Sequence, residues 1–325
     1  MNKDDKKKLH IVMYHYVRDL KYSRYPEIKG MDWRLFKQQL EFFSSKFNVV
    51  TMEQVIAACN EDKDMLPDNA LLLTFDDGYI DNYTYALPLL SEYRMQGSFF
   101  IPGKTFNENK LLDVNKIHFI LATADSKELV KEIFEQLDYY RGTEYAIPSN
   151  EELYEKYAVA NRFDNKDIIF VKRVLQTGLA ENLRNQISSN LFKKYVGVSE
   201  ETFAKELYMS REQIRQMKKD GMFIGLHGYD HYWMGNLPEE QMKADFDKSV
   251  EVLSEFIDDG NYVLNYPYGN YNDNVLAYMQ EKKVKLGMTT EVAVAKIGED
   301  NKYLLPRLDC NDFPPKSEQY LNLKE

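Results

Sequence analysis

Hydrophobic and polar positions along the chain follow two recurring patterns. Continuous or β-branched apolar runs, which are typical of buried strands, occupy residues 9–17, 71–75, 97–101, 222–226, 262–266 and 284–289. Apolar residues three and four apart predict amphipathic helices over residues 32–47 and 238–257. Two capping boxes, one beginning at Thr51 and one at Ser210, predict further helix starts. The repeated order of strand and then helix predicts an α/β fold with parallel strands and right-handed crossovers.

A long segment in the middle of the chain has a different pattern. It is charged and helix-forming, without strand-like alternation, and helical spacing is clear in Leu129, Val130, Ile133, Phe134 and Leu137. We therefore predict a helical insertion over residues 112–209 in a domain made of residues 1–111 and 210–325. Two roles stay open for this insertion. It could cap the mouth of the domain and select its substrate, or it could form a dimer contact, because both roles leave the same amphipathic signature.

Composition and charge narrow the classes of function. The chain has 325 residues, 44% of them hydrophobic, with 24 Tyr and 18 Phe, so it can bury a large core. Its net charge of -10 offers no basic surface to nucleic acid or anionic lipid. Cys59 and Cys310 are too few for a disulfide framework or a thiolate metal cluster. The sequence shows neither a membrane-spanning apolar stretch nor the apolar core of a secretory signal. We expect a cytoplasmic protein with no nucleic-acid partner and no transmembrane segment; the oligomeric state stays open.

Two polar segments follow predicted strands and carry groups that could bind a metal. Asp76 and Asp77 are adjacent carboxylates after the run 71–75, although Asp-Asp-Gly is also ordinary turn chemistry. His227 and His231 follow the run 222–226, and two histidines four residues apart can share one metal ion with a carboxylate. The alternative is a pair of surface histidines in a loop.

Two further segments could contribute to the same site. In residues 265–269, Pro267 removes one backbone donor and Gly269 permits a sharp turn, which leaves the Tyr268 N–H to point into a site, although a plain strand-end turn is the alternative. His15 lies inside a strand pattern and could equally be a core histidine. All four segments fall at the predicted C-terminal ends of strands, which share one face of a parallel β/α barrel.

These residues resemble the polysaccharide deacetylases, carbohydrate esterase family four, which share the nodulation-type chitooligosaccharide deacetylase domain. The resemblance rests on Thr-Phe-Asp-Asp-Gly at 74–78, His-x-x-x-His at 227–231 and Tyr-Pro-Tyr-Gly at 266–269, and it covers about residues 9–112 and 209–310. It implies a distorted (β/α)7 barrel and metal-dependent removal of an acyl group from an amino sugar.

The resemblance also implies roles for individual residues. Asp77, His227 and His231 would hold a divalent metal, zinc above all, and Asp76 would be the general base that takes a proton from water. The N–H of Tyr268 would stabilise the oxyanion formed from the amide carbonyl.

Two features depart from the commonest pattern of the family. No histidine follows His231, so the general acid is assigned to His15, which with Tyr14 is similar to an N-terminal Tyr-His motif of the permuted branch, typified by poly-N-acetylglucosamine deacetylases. Asn265 stands where many members have an arginine that orients the base. Arg307 could supply that charge from another strand.

Other roles near these motifs stay undecided on the sequence alone. Arg307 could instead form a surface ion pair with Asp309. Tyr79 and Asp81 could contact substrate, although entry into a helix explains Asp81 as well.

The expected function is that of a metal-dependent hydrolase that removes an N-acyl group, most simply N-acetyl, from an amino sugar in a cytoplasmic glycan precursor. The alternative is an inert carbohydrate-binding barrel, against which the presence of both Asp76 and Asp77 argues. The sequence leaves open whether the acyl group is acetyl or formyl. It also leaves open whether the sugar is carried by a nucleotide, a lipid or an oligosaccharide.

Overall fold

Strands and helices alternate along much of the chain. The computed structural model describes residues 7–258 and 260–322. The strands within these residues are β1 (Lys7–Tyr14), β2 (Val17–Arg18), β3 (Met31–Asp32), β4 (Asn48–Val49), β5 (Ala70–Asp76), β6 (Gly97–Ile101), β7 (Phe223–Leu226), β8 (Val263–Asn265), β9 (Leu286–Met288), β10 (Ala295–Ile297) and β11 (Leu308–Asp309). The α-helices are α1 (Trp33–Lys46), α2 (Met52–Asn60), α3 (Leu87–Tyr93), α4 (Gly103–Asn107), α5 (Asp113–Leu121), α6 (Ser126–Tyr140), α7 (Asn150–Tyr157), α8 (Lys166–Arg173), α9 (Glu181–Tyr195), α10 (Glu200–Leu207), α11 (Arg211–Lys219), α12 (Glu239–Leu253) and α13 (Asp273–Glu281).

One curled sheet organises the fold. Its strands follow the order β10-β1-β5-β6-β7-β8-β9, in which every neighbouring pair is parallel except β10 with β1. Two short strands complete it, because β4 pairs with the start of β5 and β11 pairs with Val12 and Met13, near the carboxyl end of β1. The α/β class and the parallel order are confirmed, and the sheet forms a half-barrel. A complete set of seven strand–helix repeats stays a prediction.

β5 shows why a continuous apolar run suits this sheet. All seven of its residues are buried. Leu71, Leu73 and Phe75 enter one hydrophobic cluster, whereas Ala70 and Leu72 enter another. Because successive side chains of a strand point to opposite faces, a strand that is covered on both faces favours apolar residues on both. Thr74 is a polar residue within the run, and its hydroxyl donates to the backbone carbonyl of Val12 at 2.8 Å. The apolar run ends at Asp76, which lies at the carboxyl end of the strand.

The helices begin where their capping residues predicted. Thr51 and Gln54 form a capping box at α2, and Ser210 and Gln213 form one at α11, so both predictions are confirmed. At α1 the Asp32 side chain accepts a hydrogen bond from the N–H of Arg34, which satisfies one of the unpaired donors of the first turn. α12 is shorter than predicted, since it ends at Leu253 rather than at residue 257.

The chain divides into two compact units. The first unit contains residues 1–19, 30–109 and 205–325, and the described residues in it form the sheet. The second contains residues 20–29 and 110–204 and holds helices α5 to α9. Within the second unit the Tyr25 ring packs edge-on against Phe119, and Asp164 binds Lys29, so the segment 20–29 is fixed to the helices although its sequence shows no helical spacing.

Among the described residues, no helix combines sufficient length with sufficient apolar character to cross a bilayer.

Candidate metal centre

The turn after β5 places two carboxylates side by side. Asp77 and Gly78 both have left-handed backbone angles, with φ of 73° and 69°. A Cβ on Gly78 would lie 2.9 Å from the Cγ2 of Ile101, so the turn requires glycine both for its backbone angle and for space. This sharp turn fixes the orientation of Asp76 and Asp77 at the carboxyl end of a buried strand.

Asp77, His227 and His231 converge on one point. All three are buried, and their potential ligand atoms lie within 4.8 Å of one another. Oδ1 of Asp77 lies 3.4 Å from Nε2 of His227 and 3.3 Å from Nε2 of His231. This Oδ1 is buried and makes no hydrogen bond. A buried carboxylate oxygen that faces two imidazole nitrogens is a donor set that fits a divalent cation such as zinc, and three protein ligands leave one tetrahedral position for a further ligand.

Neighbouring groups fix the orientation of two of these side chains. The Tyr79 hydroxyl donates a hydrogen bond to Oδ2 of Asp77 at 2.5 Å, which leaves Oδ1 to face the histidines. Nδ1 of His227 lies 2.8 Å from the backbone carbonyl oxygen of Asn265. When Nδ1–H donates to that carbonyl, Nε2 carries the lone pair that a metal needs.

The electrostatics keep Asp77 ionised. Burial acts to raise the pKa of Asp77, but the imidazoles of His227 and His231 that face its carboxylate outweigh burial and hold the pKa well below its usual range. An ionised carboxylate is the form that binds a cation.

Asp76 is held separately from this ligand set. Arg307, only 1% exposed, donates from Nη1 to Oδ1 of Asp76 at 3.0 Å and from Nη2 to Oδ2 at 2.8 Å. Nδ2 of Asn265 donates to the same Oδ1 at 2.5 Å. Burial acts to raise the pKa of Asp76, yet the charge of Arg307 and then that of His227 outweigh it, so the pKa is lowered. Asp76 is therefore an ionised acceptor at neutral pH.

The guanidinium of Arg307 is itself anchored. Its Nε donates to the backbone carbonyl of Thr289 at 2.9 Å, and its Nη1 also lies 3.2 Å from Oγ1 of Thr74. Asp309, the other acid considered for Arg307, accepts hydrogen bonds from the backbone N–H and the side-chain Nδ2 of Asn311 and so caps the turn that follows β11. The structure thus brings Arg307 to Asp76 and assigns Asp309 a local capping contact.

His15 lies beside Asp76 at the edge of the site. It occupies the short gap between β1 and β2, its side chain is 39% exposed, and its Nε2 lies 3.9 Å from Oδ2 of Asp76. This exposure differs from that of a packed core histidine and leaves the imidazole accessible to a bound molecule.

Tyr268 follows β8 in a strained turn. Its φ is 60°, and its ring stacks on Trp233 at 4.5 Å and meets His231 edge-on at 4.7 Å. The next residue, Gly269, is required because a Cβ there would lie 2.3 Å from Oγ1 of Thr290. The role of the Tyr268 N–H toward an oxyanion stays a prediction.

Two residues that follow the Asp-Asp-Gly turn, Tyr79 and Asp81, contact protein groups. Tyr79 is fully buried, and its hydroxyl contacts the carboxylate of Asp77, so it supports a candidate ligand. Asp81 is also buried; its Oδ1 accepts a hydrogen bond from Nη2 of Arg18 at 3.3 Å, and its Oδ2 lies 2.8 Å from Nε of the same guanidinium.

Sequence reasoning missed the contributions of Asn265 and Asp245. Asn265 joins the two halves of the site, since its carbonyl contacts His227 and its side chain contacts Asp76. Asp245 accepts backbone hydrogen bonds from the loop before His231. One signal for Asp245 was present, because this acid lies on the buried face of α12, next to Phe246, where helical spacing calls for an apolar residue.

Comparisons with known proteins point to one family. The family model described as polysaccharide deacetylase matches residues 63–136 and 185–287, which together make up more than half of the chain. YxkH of Bacillus subtilis (strain 168) is 18% identical over 302 residues, covering 93% of this chain and 71% of that protein. The poly-beta-1,6-N-acetyl-D-glucosamine N-deacetylase of Staphylococcus aureus (strain MSSA476) is 28% identical over 124 residues, covering 35% of this chain and 42% of that enzyme.

Solved structures show the same fold. The Streptococcus pyogenes deacetylase PplD in complex with acetate superposes with a TM-score of 0.59 at 17% identity, covering 98% of this chain and all of that one. IcaB from Ammonifex degensii superposes with a TM-score of 0.57 at 19% identity, covering 97% of this chain and 95% of that one.

Proposed function

The chain belongs to the polysaccharide deacetylase family, and from that premise we propose that it is a metal-dependent hydrolase that removes an N-acetyl group from an amino sugar. One observation carries the proposal. A buried, unpaired Oδ1 of Asp77 faces two imidazole nitrogens, while the adjacent Asp76 is held ionised by a different set of partners. Because the two neighbouring carboxylates have separate partners, one can bind a cation while the other accepts a proton.

Asp77, His227 and His231 would hold zinc. When bound, the ion supplies a Lewis acid that polarises the amide carbonyl and lowers the pKa of a water molecule. The support for zinc is the donor set of one carboxylate and two imidazoles, with Tyr79 and Asn265 orienting two of the three ligands.

Asp76 would accept the proton of the attacking water, and the contacts indicate which oxygen does so. Oδ1 already accepts hydrogen bonds from Arg307 and Asn265, whereas Oδ2 accepts one from Arg307. The remaining acceptor position is therefore on Oδ2, the oxygen that lies 3.9 Å from His15.

His15 would protonate the leaving nitrogen, as the resemblance to the permuted branch implies. Water adds to the carbonyl carbon and gives its proton to Asp76, and the C–N bond then breaks as Nε2–H of His15 protonates the nitrogen. The products are acetate and a free amino sugar, and transfer of the proton from Asp76 to His15 restores both residues. The Tyr268 N–H would donate to the carbonyl oxygen as negative charge develops there.

The substrate class is an N-acetylated amino sugar. The Staphylococcus enzyme to which part of this chain is similar is named for a β-1,6-linked polymer of N-acetylglucosamine, whereas a cytoplasmic protein would meet nucleotide- or lipid-linked precursors. We propose that the substrate is a cytoplasmic glycan precursor. Fractionation of cells that produce the untagged chain tests whether the protein lies in the cytoplasm.

The test uses zinc-loaded protein with both kinds of substrate. β-1,6-linked N-acetylglucosamine oligomers and nucleotide-linked N-acetyl sugars, with N-formyl analogues beside them, are followed by mass spectrometry and by released acetate or formate. Asp76→Asn is the matched control, because it keeps the zinc ligands and should lower the rate by about 10²–10⁴. Release that is equal in wild type and Asp76→Asn, or sugar binding without release, contradicts the proposed hydrolase; the second result is that of an inert binding barrel.

A further inference from the structure

The loop between the two histidines has an unusual backbone. Gly228 and His231, at its two ends, have φ of 68° and 57°. The left-handed conformation is unfavourable for a residue with a side chain, so His231 keeps it only if surrounding contacts fix the loop. The position of the second imidazole therefore depends on what holds residues 228–230.

Asp245 of α12 holds this loop on one side. Asp245 is 7% exposed, and each of its carboxylate oxygens accepts one backbone hydrogen bond: Oδ2 from the N–H of Tyr229 at 2.9 Å and Oδ1 from the N–H of Asp230 at 2.9 Å. A Cβ at Gly228 would lie 3.0 Å from Oδ2, so glycine allows the loop to approach the carboxylate closely. Hydrogen bonds from N–H groups to an ionised carboxylate are shorter and stronger than neutral ones.

The start of α4 holds the other side of the loop. The carbonyl oxygen of Gly228 accepts from the N–H of Gly103 at 3.1 Å, and that of Tyr229 accepts from the N–H of Lys104 at 2.9 Å. The N–H groups just before His231 thus bond to Asp245, and the carbonyls bond to α4. Lys104 also binds the Asp230 side chain through its Nζ at 2.5 Å, but of the partners named here Asp245 is the one whose side chain bonds to the loop backbone, so a substitution can remove that contact.

We infer that Asp245 is a positioning residue for the metal centre, which sets the place of His231 by binding the two preceding N–H groups. The inference rests on the proposed function, in which His231 is a zinc ligand. An asparagine in place of Asp245 keeps the volume but replaces one acceptor oxygen with an NH₂ group, which would face a backbone N–H. The loop would then lose one hydrogen bond and meet a donor opposite a donor.

The experiment measures zinc affinity in Asp245→Asn and in a matched control, Asp247→Asn. Asp247 lies two residues further along the same helix, but its carboxylate binds the Tyr278 hydroxyl and Lys282, both at 2.8 Å. Metal-free proteins are titrated with zinc against a chromophoric chelator, well below their unfolding midpoints. We expect affinity to fall by about 10- to 100-fold in Asp245→Asn, as for other residues that orient metal ligands, and to stay at the wild-type value in Asp247→Asn.

The outcomes separate the positioning role from the proposed function. Wild-type protein that binds no zinc would contradict the proposed function itself. Wild-type affinity in Asp245→Asn, even with lowered stability, would show that Asp245 is only a structural residue and would overturn the inference.

Hydrogen exchange provides a measurement that does not depend on the variant folding. In metal-free wild-type protein, the amides of Tyr229 and Asp230 should be protected from exchange, and zinc should increase that protection. Exchange at the rate of exposed loop amides would overturn the inference.

Discussion

Replacement of Arg307 by methionine tests how the site keeps Asp76 charged. Methionine preserves much of the length of the side chain but removes the guanidinium and both of its hydrogen bonds to Asp76. Asp76 and Arg307 are 2% and 1% exposed, so bulk solvent compensates little for the lost partner.

The expected loss of stability is large because the remaining charge stays buried. Removing one partner of a buried ion pair destabilises a protein by about 3–5 kcal/mol. Most of that loss comes from the unpaired carboxylate, so Asp76→Asn in the Arg307→Met background should recover much of it. Activity should also fall, because a carboxylate without its two fixed donors is no longer held in one orientation.

The assay is urea denaturation of metal-free protein, with Arg34→Met as a control. Arg34 also binds two carboxylates, those of Asp19 and Asp32, but its side chain is 40% exposed, so its loss should change the unfolding free energy far less. A decrease below about 1 kcal/mol for Arg307→Met, the value of a surface pair, would refute the reasoning. So would a double variant that is no more stable than Arg307→Met.

Acidification should change the free energies of unfolding of wild type and Arg307→Met in a defined direction. The folded pKa of Asp76 is lowered below its ordinary 3.8, so its contribution to stability is complete above that value and is lost as the pH falls through the folded pKa. Wild type should therefore keep this contribution from about pH 7 to about pH 5. In Arg307→Met the effect of burial is no longer opposed by the guanidinium, so the pKa of Asp76 rises. The difference in unfolding free energy between the two proteins should then shrink as the pH falls; a constant difference would contradict this account.

Three further predictions concern single side chains. His227→Ala should lose zinc, because two remaining protein ligands rarely hold the ion; elemental analysis checks this, and full occupancy would remove His227 from the ligand set. His15→Asn should keep its zinc and its unfolding midpoint while acetate release slows by about 10² or more; a destabilised protein with the wild-type rate would place the proton donor elsewhere. Burial raises the pKa of Cys59 to about 11, so iodoacetamide at about pH 8 should alkylate Cys59 roughly 10²-fold more slowly in native than in unfolded protein; equal rates by peptide mass spectrometry would show an accessible thiolate.

Local signals account for the parts of the fold that the sequence could predict. The capping boxes at Thr51 and Ser210 depend on residues three apart, and both are present in the structure. The apolar run at 97–101 coincides with β6 in both bounds. Such features belong to short segments, so they can be recognised without knowledge of the tertiary contacts.

Contacts between distant segments account for what could not be predicted. β10 and β11 have three and two residues, too few for any alternation to show, and pairing with β1 defines them. Asn265 and Asp245 act through hydrogen bonds to backbone groups or to side chains far away in the sequence. A single polar residue in a buried stretch signals that a partner exists, but it does not identify that partner.

The pairing of β1 has a consequence for synthesis on the ribosome. Lys7–Leu9 pair with β10 and Val12–Met13 pair with β11, and Arg307 immediately precedes β11. The proposed zinc ligands therefore leave the ribosome before Arg307, whose guanidinium binds Asp76. They also leave it before the two strands that cover this edge of β1. An open strand edge invites pairing with other chains. A chain that stalls between residues 231 and 295 would thus contain all three proposed zinc ligands but lack the guanidinium that holds Asp76, and it would present a strand edge that the finished protein covers.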